Sequence, residues 1–260
     1  MIRLKTPEQI EGIRKACKLL ARTLKDLAKD VRPGITTREL DERARSVIES
    51  SGGRPAFLGY GGFPGSLCTS RNEEVIHGIP NGSPLREGDV ISIDCGIILD
   101  GYVSDSAITL PVGQLSPEVA RLLKITEESL YLGIEAAKPG KRVSDISRAI
   151  YQHTHGQGYG VVREYCGHGV GLELHEDPQV PNYVSRGPNP RLKPGMIIAI
   201  EPMISLGSGD IRVLDDDWTV VTVDGSVAAH FEHTVLIGQD GPEILTQDET
   251  IQVGTTNDGA

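Results

Sequence analysis

The chain has 260 residues, enough for one large domain or two small ones. Its formal net charge of -10 argues against nonspecific binding to nucleic acid or to anionic membranes. The four cysteines include no C-x-x-C pair, so neither a disulfide scaffold nor a zinc knuckle is indicated. The sequence also lacks a secretory signal and any apolar run that could span a bilayer, so we expect a soluble cytoplasmic protein.

Capping boxes predict the first two helices. Thr6 with Gln9 forms the first box, and an apolar stripe of helical period follows it to a Pro-Gly stop at residues 32–34. A second box at residues 36–39 predicts a helix through about Ser50. Two further helices are predicted, one beginning at residue 116 and ended by a stop at 138–140, and one over about 144–155.

Two stretches, residues 85–94 and 192–201, carry the same pattern. Each begins with Leu, passes through Gly and continues as an apolar, strand-like run that ends in a carboxylate, Asp94 in the first and Glu201 in the second. Because strand residues alternate between faces, each acid shares a face with a small residue, and isoleucines occupy the opposite face. A carboxylate in such a setting is costly to bury unless a positive group meets it.

The duplication extends beyond these strands. The helix stops at 32–34 and 138–140 are separated by almost the same number of residues as the two strands, so an order of two helices and a strand occurs twice. This predicts one domain built from two related halves, with a shared site where they meet. The predicted boundaries are a single domain over 1–252, halves of about 1–110 and 111–240, and a frayed tail over 253–260.

A hairpin brings two acids together. Asp-Gly at residues 100–101 is a strong signal for a two-residue loop, with a return strand over 102–110. Counting outward from such a loop sets Asp94 opposite Ala107 and makes Asp105 its diagonal neighbour on the same face, about 7–8 Å away. Two carboxylates placed in this way can share a pair of metal ions. For the hairpin considered alone, the alternative interpretation is that both acids are solvated on an exposed face.

Several histidines stand in motifs that could join these acids. His168 lies between glycines, where backbone can approach closely, and His175 follows in an H-E-D-P sequence that is not the H-E-x-x-H of zincins. Glu232 is an inward-facing candidate within a predicted strand over 229–237. His77 has a loop setting. Taken singly, His168 is more typical of a turn and His77 of a surface loop.

Collected in order, these residues match a known family. Asp94, Asp105, His168, Glu201 and Glu232 resemble the five metal ligands of the methionine aminopeptidases, in the short bacterial type I form. Further sequence motifs that carry the resemblance are CGHGVG (166–171), HEDPQV (175–180), MIIAIEP (196–202) and FEHT (231–234). The resemblance covers nearly the whole chain. It implies an α+β pita-bread fold with pseudo-twofold halves, in which an antiparallel β-sheet is flanked by two pairs of helices plus a short C-terminal segment.

The resemblance also implies an activity. It is the removal of the N-terminal methionine from nascent polypeptides, by water activated between two divalent ions of Co, Mn, Fe or Zn. Four acids balance the charge of two such ions, with His168 as a neutral ligand. In this implied mechanism Glu201 shuttles a proton, His175 stabilises the developing oxyanion and His77 hydrogen-bonds the scissile amide.

By the same resemblance, a methionine pocket is expected. Its walls would be Tyr60, Phe63, Cys68, Leu174 and Trp218. Core packing is an equally good account of any one of them. Leu174 stands where bacterial members usually carry Phe, and Phe63 where many carry Tyr, so a somewhat wider pocket is expected. Ala228 replaces a Ser often found near a monovalent-ion site.

Two other functions share much of this pattern. Prolidases and X-Pro aminopeptidases have the same five ligands but resemble a longer architecture with a separate N-terminal domain. A non-catalytic binding protein on the same fold would lose ligands, whereas this sequence keeps all five. Nascent chains near the ribosome are the expected partners, without nucleic acid or membrane, and a monomer is expected.

Overall fold

The computed structural model describes residues 1–247. The frayed tail expected over 253–260 and the last residues of the domain expected over 1–252 lie outside this range. The four helices are α1 (Pro7–Ala28), α2 (Thr37–Ser50), α3 (Pro117–Ala136) and α4 (Val143–His155). The strands, in chain order, are β1 (Arg54–Pro55), β2 (Leu67–Arg71), β3 (Glu74–Ile76), β4 (Val90–Leu99), β5 (Tyr102–Pro111), β6 (Gly160–Val161), β7 (Gly167–Gly169), β8 (Glu176–Val180), β9 (Ile197–Ile200), β10 (Met203–Ser205), β11 (Ile211–Val213), β12 (Val220–Thr222), β13 (Ala228–His230), β14 (His233–Ile237) and β15 (Pro242–Ile244).

The helices begin where their capping boxes predict. The Thr6 hydroxyl accepts the backbone N–H of Gln9, and the Gln9 side chain accepts the backbone N–H of Thr6 at 2.9 Å. Thr36 and Glu39 make the same reciprocal pair at the start of α2. Each box satisfies donors that a helix start would otherwise leave open. In residues 1–247 no helix combines the length and apolarity needed to cross a bilayer.

The hairpin register is confirmed. β4 and β5 pair antiparallel around the two-residue loop, with Asp94 opposite Ala107 and Asp105 opposite Gly96. The predicted strand bounds of 85–94 are wrong, since β4 begins at Val90 and continues five residues past Asp94. The earlier residues form a turn closed by the Asp89 carboxylate, which accepts the backbone N–H of Arg86 at 2.8 Å. Asp94 therefore lies in the middle of a strand rather than at its end.

The second repeat strand is shorter than predicted. β9 covers only the last apolar residues before Glu201 and follows a turn at Gly195, which has a φ of 89°. The single strand predicted over 229–237 is also wrong, because the chain leaves its strand at Phe231 and Glu232. β13 pairs with β10, whereas β14 pairs with β9 and β15. At the break, the backbone N–H of Glu232 donates instead to the Ala107 carbonyl of β5, at 2.9 Å.

Two main hydrophobic clusters lie between the helices and the sheets. Ile91 and Ile93 of β4 belong to a buried cluster with the apolar faces of α1 and α2. Ile198 and Ile200 of β9 belong to another, with α3 and α4. The two isoleucine faces therefore lie under separate helix pairs, as the alternation predicts. The order of two helices followed by a site-bearing strand thus occurs twice, while the exact limits of the halves remain a prediction.

Side-chain hydroxyls join β5 to the segment between β13 and β14. Thr109 donates to the His230 carbonyl and Thr234 to the Asp105 carbonyl, each at 2.7 Å. Ser106 donates to the Glu232 carbonyl, also at 2.7 Å. All of these groups are buried, so unmade bonds here would be costly. These three hydrogen bonds fix the hairpin against the strands that carry the remaining acids.

Glycines let β7 lie very close to its neighbours. A Cβ placed on Gly167 would lie 2.3 Å from the Ala199 carbonyl oxygen of β9, and one on Gly169 would lie 2.3 Å from the Asp177 carbonyl oxygen. Only glycine allows this approach on both sides of His168. The close packing predicted from the G-H-G sequence is confirmed.

Replacing Gly167 by alanine is expected to lower the free energy of unfolding by about 1–3 kcal/mol, since the added methyl group meets backbone that cannot move aside cheaply. Chemical denaturation would measure the change. Gly187→Ala is the matched control, because its Cβ would meet only the Ser185 hydroxyl, at 3.4 Å, in an exposed loop. Equal midpoints for the two variants would contradict the close packing of β7.

Candidate active site

A cavity of about 680 Å³ lies where the hairpin meets the second sheet, which is formed by β7, β8, β9, β14 and β15. All twelve residues singled out from the sequence line it. They are Tyr60, Phe63, Cys68, His77, Asp94, Asp105, His168, Leu174, His175, Glu201, Trp218 and Glu232. Residues that are far apart in the chain are thus brought to one concave surface, which is the usual setting of a binding or catalytic site.

The acids and His168 form a compact cluster. One side-chain ligand atom each from Asp105, His168 and Glu232 lies within 4.8 Å of the other two. The Nε2 atom of His168 lies 3.7 Å from Oδ2 of Asp105 and 3.5 Å from Oε1 of Glu201. Asp94 is the diagonal neighbour of Asp105 on the hairpin. Donor atoms at such separations can converge on cations.

Burial leaves these carboxylates poorly satisfied. Oδ1 of Asp94, Oδ1 of Asp105 and Oε1 of Glu232 are buried without a hydrogen-bond partner among residues 1–247. Burial raises the pKa of Asp94 to about 7. Burial and then the charges of neighbouring acids raise the pKa values of Asp105 and Glu232 well above the ordinary range. Divalent cations would supply the missing positive charge, so the residues fit a metal site.

Glu201 is the exception among the four acids. Burial acts to raise its pKa, but the nearby imidazoles of His230 and His168 outweigh it and hold the pKa below the usual value. Oε2 lies 3.5 Å from Nε2 of His230, and Oε1 faces His168. Its backbone carbonyl accepts the side-chain amide of Asn182 at 3.0 Å. Glu201 is therefore held on several sides.

His168 presents one defined nitrogen to the acids. Its Nδ1 lies 2.9 Å from the Gly169 carbonyl oxygen, which can only accept a hydrogen bond. Nδ1 therefore carries the proton of the neutral ring, and Nε2 directs its lone pair towards the carboxylates. An outer hydrogen bond of this kind commonly orients a histidine that binds metal.

The other two predicted histidines, His77 and His175, also line the cavity. The ring of His175 lies 4.4 Å from that of His168 between centroids, and its Nδ1 is 2.9 Å from the Tyr60 hydroxyl. Burial, with the nearby His168, lowers the pKa of His175 to about 4, so the ring is neutral near pH 7. His77 has a φ of 58° and packs edge-on against Trp218. Burial also lowers the pKa of His77.

Four of the five predicted pocket residues share one apolar cluster. Phe63, Cys68 and Leu174 are buried, and Trp218 packs edge-to-face on Phe63 with 5.1 Å between ring centroids. Tyr60 is 47% exposed and stands at the rim. These side chains are packed and also line the cavity, so the core-packing and pocket interpretations both describe them.

Two residues beside the site were not predicted. His230, 2% exposed, contacts Glu201 from behind the cavity surface, and Asn182 holds the Glu201 backbone. A signal for His230 exists in the sequence, because it stands two residues before Glu232 in a β-rich run and period-two spacing favours a common face. Asn182 lies in an irregular segment, where no spacing rule applies.

This donor set, buried in a cavity of an antiparallel α+β fold, is that of a metal-dependent enzyme. Residues 11–239 match the profile of metallopeptidase family M24, and the chain belongs to that family. Membership implies divalent metal cofactors. The predicted pita-bread fold is confirmed by the same match and by the solved structures similar to this chain.

The similar proteins cover almost the whole chain. "Methionine aminopeptidase 1" of Bacillus subtilis is 52% identical over 247 residues, covering 95% of this chain and 100% of the relative. Methionine aminopeptidase structures from Rickettsia prowazekii and Thermotoga maritima superpose with TM-scores of 0.93, at 41% and 44% identity, and each covers 95% of this chain and 100% of the other. A prolidase from Pyrococcus furiosus superposes at 0.78 with 27% identity, and the match covers 95% of this chain but 66% of the prolidase.

Asp105→Asn is expected to lower the affinity for Mn²⁺ or Co²⁺ at least about tenfold, since it removes a charged donor from the centre of the cluster. Titration calorimetry on metal-free protein would measure it. Asp41→Asn is the matched control, because Asp41 is a partly buried carboxylate outside the cavity that accepts the backbone N–H groups of Ser66 and Leu67. The cluster would not be a metal site if Asp105→Asn bound these ions like the unsubstituted protein.

Proposed function

We propose that this chain removes the N-terminal methionine from nascent polypeptides by hydrolysing the first peptide bond. The observation that carries the proposal is likeness to methionine aminopeptidases over whole chains, about half of the residues being identical in the Bacillus subtilis relative. The cavity with its buried acids is consistent with it. The enzyme acts in the cytoplasm, near the ribosome and as a monomer.

Two divalent ions would be held by five side chains. These are Asp94, Asp105, His168, Glu201 and Glu232. Four carboxylates balance the charge of two such ions when His168 is neutral, and the oxygen-rich set suits Mn, Fe, Co or Zn. When bound, such ions polarise the scissile carbonyl and make water acidic enough to react near neutral pH.

Protein groups supply the remaining steps. Glu201 has the lowered pKa of the four acids, so its carboxylate is available to take a proton from water and pass it to the leaving nitrogen. The Tyr60 hydroxyl lies within hydrogen-bond distance of Nδ1. In the tautomer in which this hydroxyl donates, neutral His175 carries its proton on Nε2 and can donate to the developing oxyanion. His77, which also lines the cavity, would hydrogen-bond the scissile amide.

The pocket gives the preference for methionine. Phe63, Cys68, Leu174 and Trp218 offer apolar and aromatic surface to a thioether side chain, and Tyr60 stands at the rim. A branched leucine at position 174 leaves more width than an aromatic ring would. Side chains wider than methionine are therefore admitted more readily.

Prolidase activity is the second candidate, favoured by the superposition on the Pyrococcus furiosus prolidase. Hydrolysis of Met-Ala-Ser and of a Met-Pro dipeptide, each by metal-free and metal-loaded protein, separates the candidates. Release of methionine from the tripeptide in the metal-loaded state only is expected. Preference for the X-Pro bond would favour prolidase, and cleavage of neither peptide would favour a binding protein.

Leu174→Phe is expected to raise the kcat/KM ratio of Met-Ala-Ser over Leu-Ala-Ser roughly tenfold, since a ring narrows the pocket against a branched side chain. Steady-state kinetics on both peptides would measure it. Leu132→Phe, at an exposed position on α3, is the control and should leave the ratio unchanged. An unaltered ratio in Leu174→Phe would remove Leu174 from the specificity pocket.

A further inference from the structure

A buried ion pair lies next to the cavity and takes no part in the mechanism above. Nζ of Lys5 lies 2.6 Å from Oε2 of Glu176, with the two side chains only 1% and 3% exposed. The pair joins the segment before α1 to the first residue of β8, and 171 residues of chain separate its partners. Removing two charges from water is expensive, so such a pair is weak evidence for a gain in stability.

The other oxygen of Glu176 fixes the turn that carries two site residues. Oε1 accepts the backbone N–H of Leu172 at 2.8 Å and that of Glu173 at 3.1 Å. Leu174 and His175 lie between these bonds and Glu176 itself, so the carboxylate closes a short loop around them. The position of the carboxylate is set in turn by the Lys5 ammonium group. An unpaired buried carboxylate would turn towards water and loosen both backbone bonds.

The backbone of Lys5 is fixed to a second part of the site. Its N–H donates to the Gly195 carbonyl at 2.8 Å, and Gly195 donates to the Ile237 carbonyl of β14 at 2.9 Å. Gly195 belongs to the turn before β9, the strand that leads to Glu201. Lys5 thus connects the loop that carries His175 to the turn before the strand that leads to Glu201. Its side chain contacts the first and its backbone N–H the second.

We propose that Lys5 is a positioning residue, which sets His175 and Leu174 against the acids through Glu176. The inference rests on the proposed aminopeptidase function, in which His175 donates to the oxyanion and Leu174 lines the methionine pocket. Errors of about 1 Å in the placement of such groups can cost about a hundredfold in rate. The ammonium group itself lies outside the lining of the cavity.

Lys5→Met is the first test, because it keeps the length and packing of the side chain but removes the charge. A loss of about 10- to 100-fold in kcat/KM for Met-Ala-Ser is expected, with Co²⁺ affinity unchanged by calorimetry. Lys5→Arg keeps the charge and is expected to recover most of the activity. Arg14→Met is the control, since Arg14 forms another long-range ion pair, with Glu243, away from the cavity.

Lys5→Met/Glu176→Met guards against a variant that merely fails to fold, since it replaces a buried pair by apolar side chains. A melting temperature near that of the unsubstituted protein with kcat/KM still low is expected. Activity equal to that of the unsubstituted protein in this double variant would overturn the proposal.

A double-mutant cycle with His175→Ala tests the route of the effect. If Lys5 acts through His175, Lys5→Met is expected to lower kcat at most about twofold when His175 is already absent. An equal loss of kcat in both backgrounds would overturn the proposal.

A measurement without turnover separates this inference from the proposed function. The ¹⁵N shifts of the His175 ring nitrogens report the hydrogen bond between the Tyr60 hydroxyl and Nδ1, and they are expected to move in Lys5→Met but not in Arg14→Met. Unsubstituted protein that does not cleave Met-Ala-Ser contradicts the proposed function whatever the shifts do. Cleavage together with unmoved shifts contradicts only the role of Lys5.

Discussion

Four carboxylates buried around one imidazole set the conditions for the rest of this molecule. Burial disfavours the charged form of each acid and is the main cause of the raised pKa values of Asp94, Asp105 and Glu232, and repulsion between neighbouring carboxylates adds to it. Without a counter-charge, such a cluster would only destabilise the folded state. The cluster is best explained as the set of protein ligands of a cation site. The surrounding structure then serves to keep the acids from moving apart.

Rigid placement comes from several different devices, each suited to its part of the chain. Hydroxyl groups of Ser106, Thr109 and Thr234 bond the hairpin to the strands beside it, where a regular ladder is interrupted. Glycines on both sides of His168 bring its strand within contact of backbone on either side. The interruption of the strand at Glu232 belongs to the same design, because it directs that acid towards the hairpin.

Local rules in the sequence predicted much of this arrangement. The register of the hairpin followed from a two-residue loop, because loop length fixes which residues face each other. Strand ends were less accessible, since the turn before Val90 depends on a side-chain contact from Asp89 that no periodicity reports. The pair of Lys5 with Glu176 was out of reach for a similar reason, as only the folded chain brings those two residues together. The four acids and His168 were recognised as a set through their resemblance to a family, and their convergence in space required the coordinates.

The division of the donors between two parts of the chain has a thermodynamic consequence. Asp94 and Asp105 come from the hairpin packed under α1 and α2, whereas His168, Glu201 and Glu232 come from the strands around the second sheet. If the ions are held as proposed, an ion that needs both sets would bind only while the two are assembled, and its occupancy would be linked to their association by mass action. A shortage of metal in the cell would then shorten the lifetime of the protein as well as lower its turnover number. The same cations would take part in catalysis and stabilise the folded state.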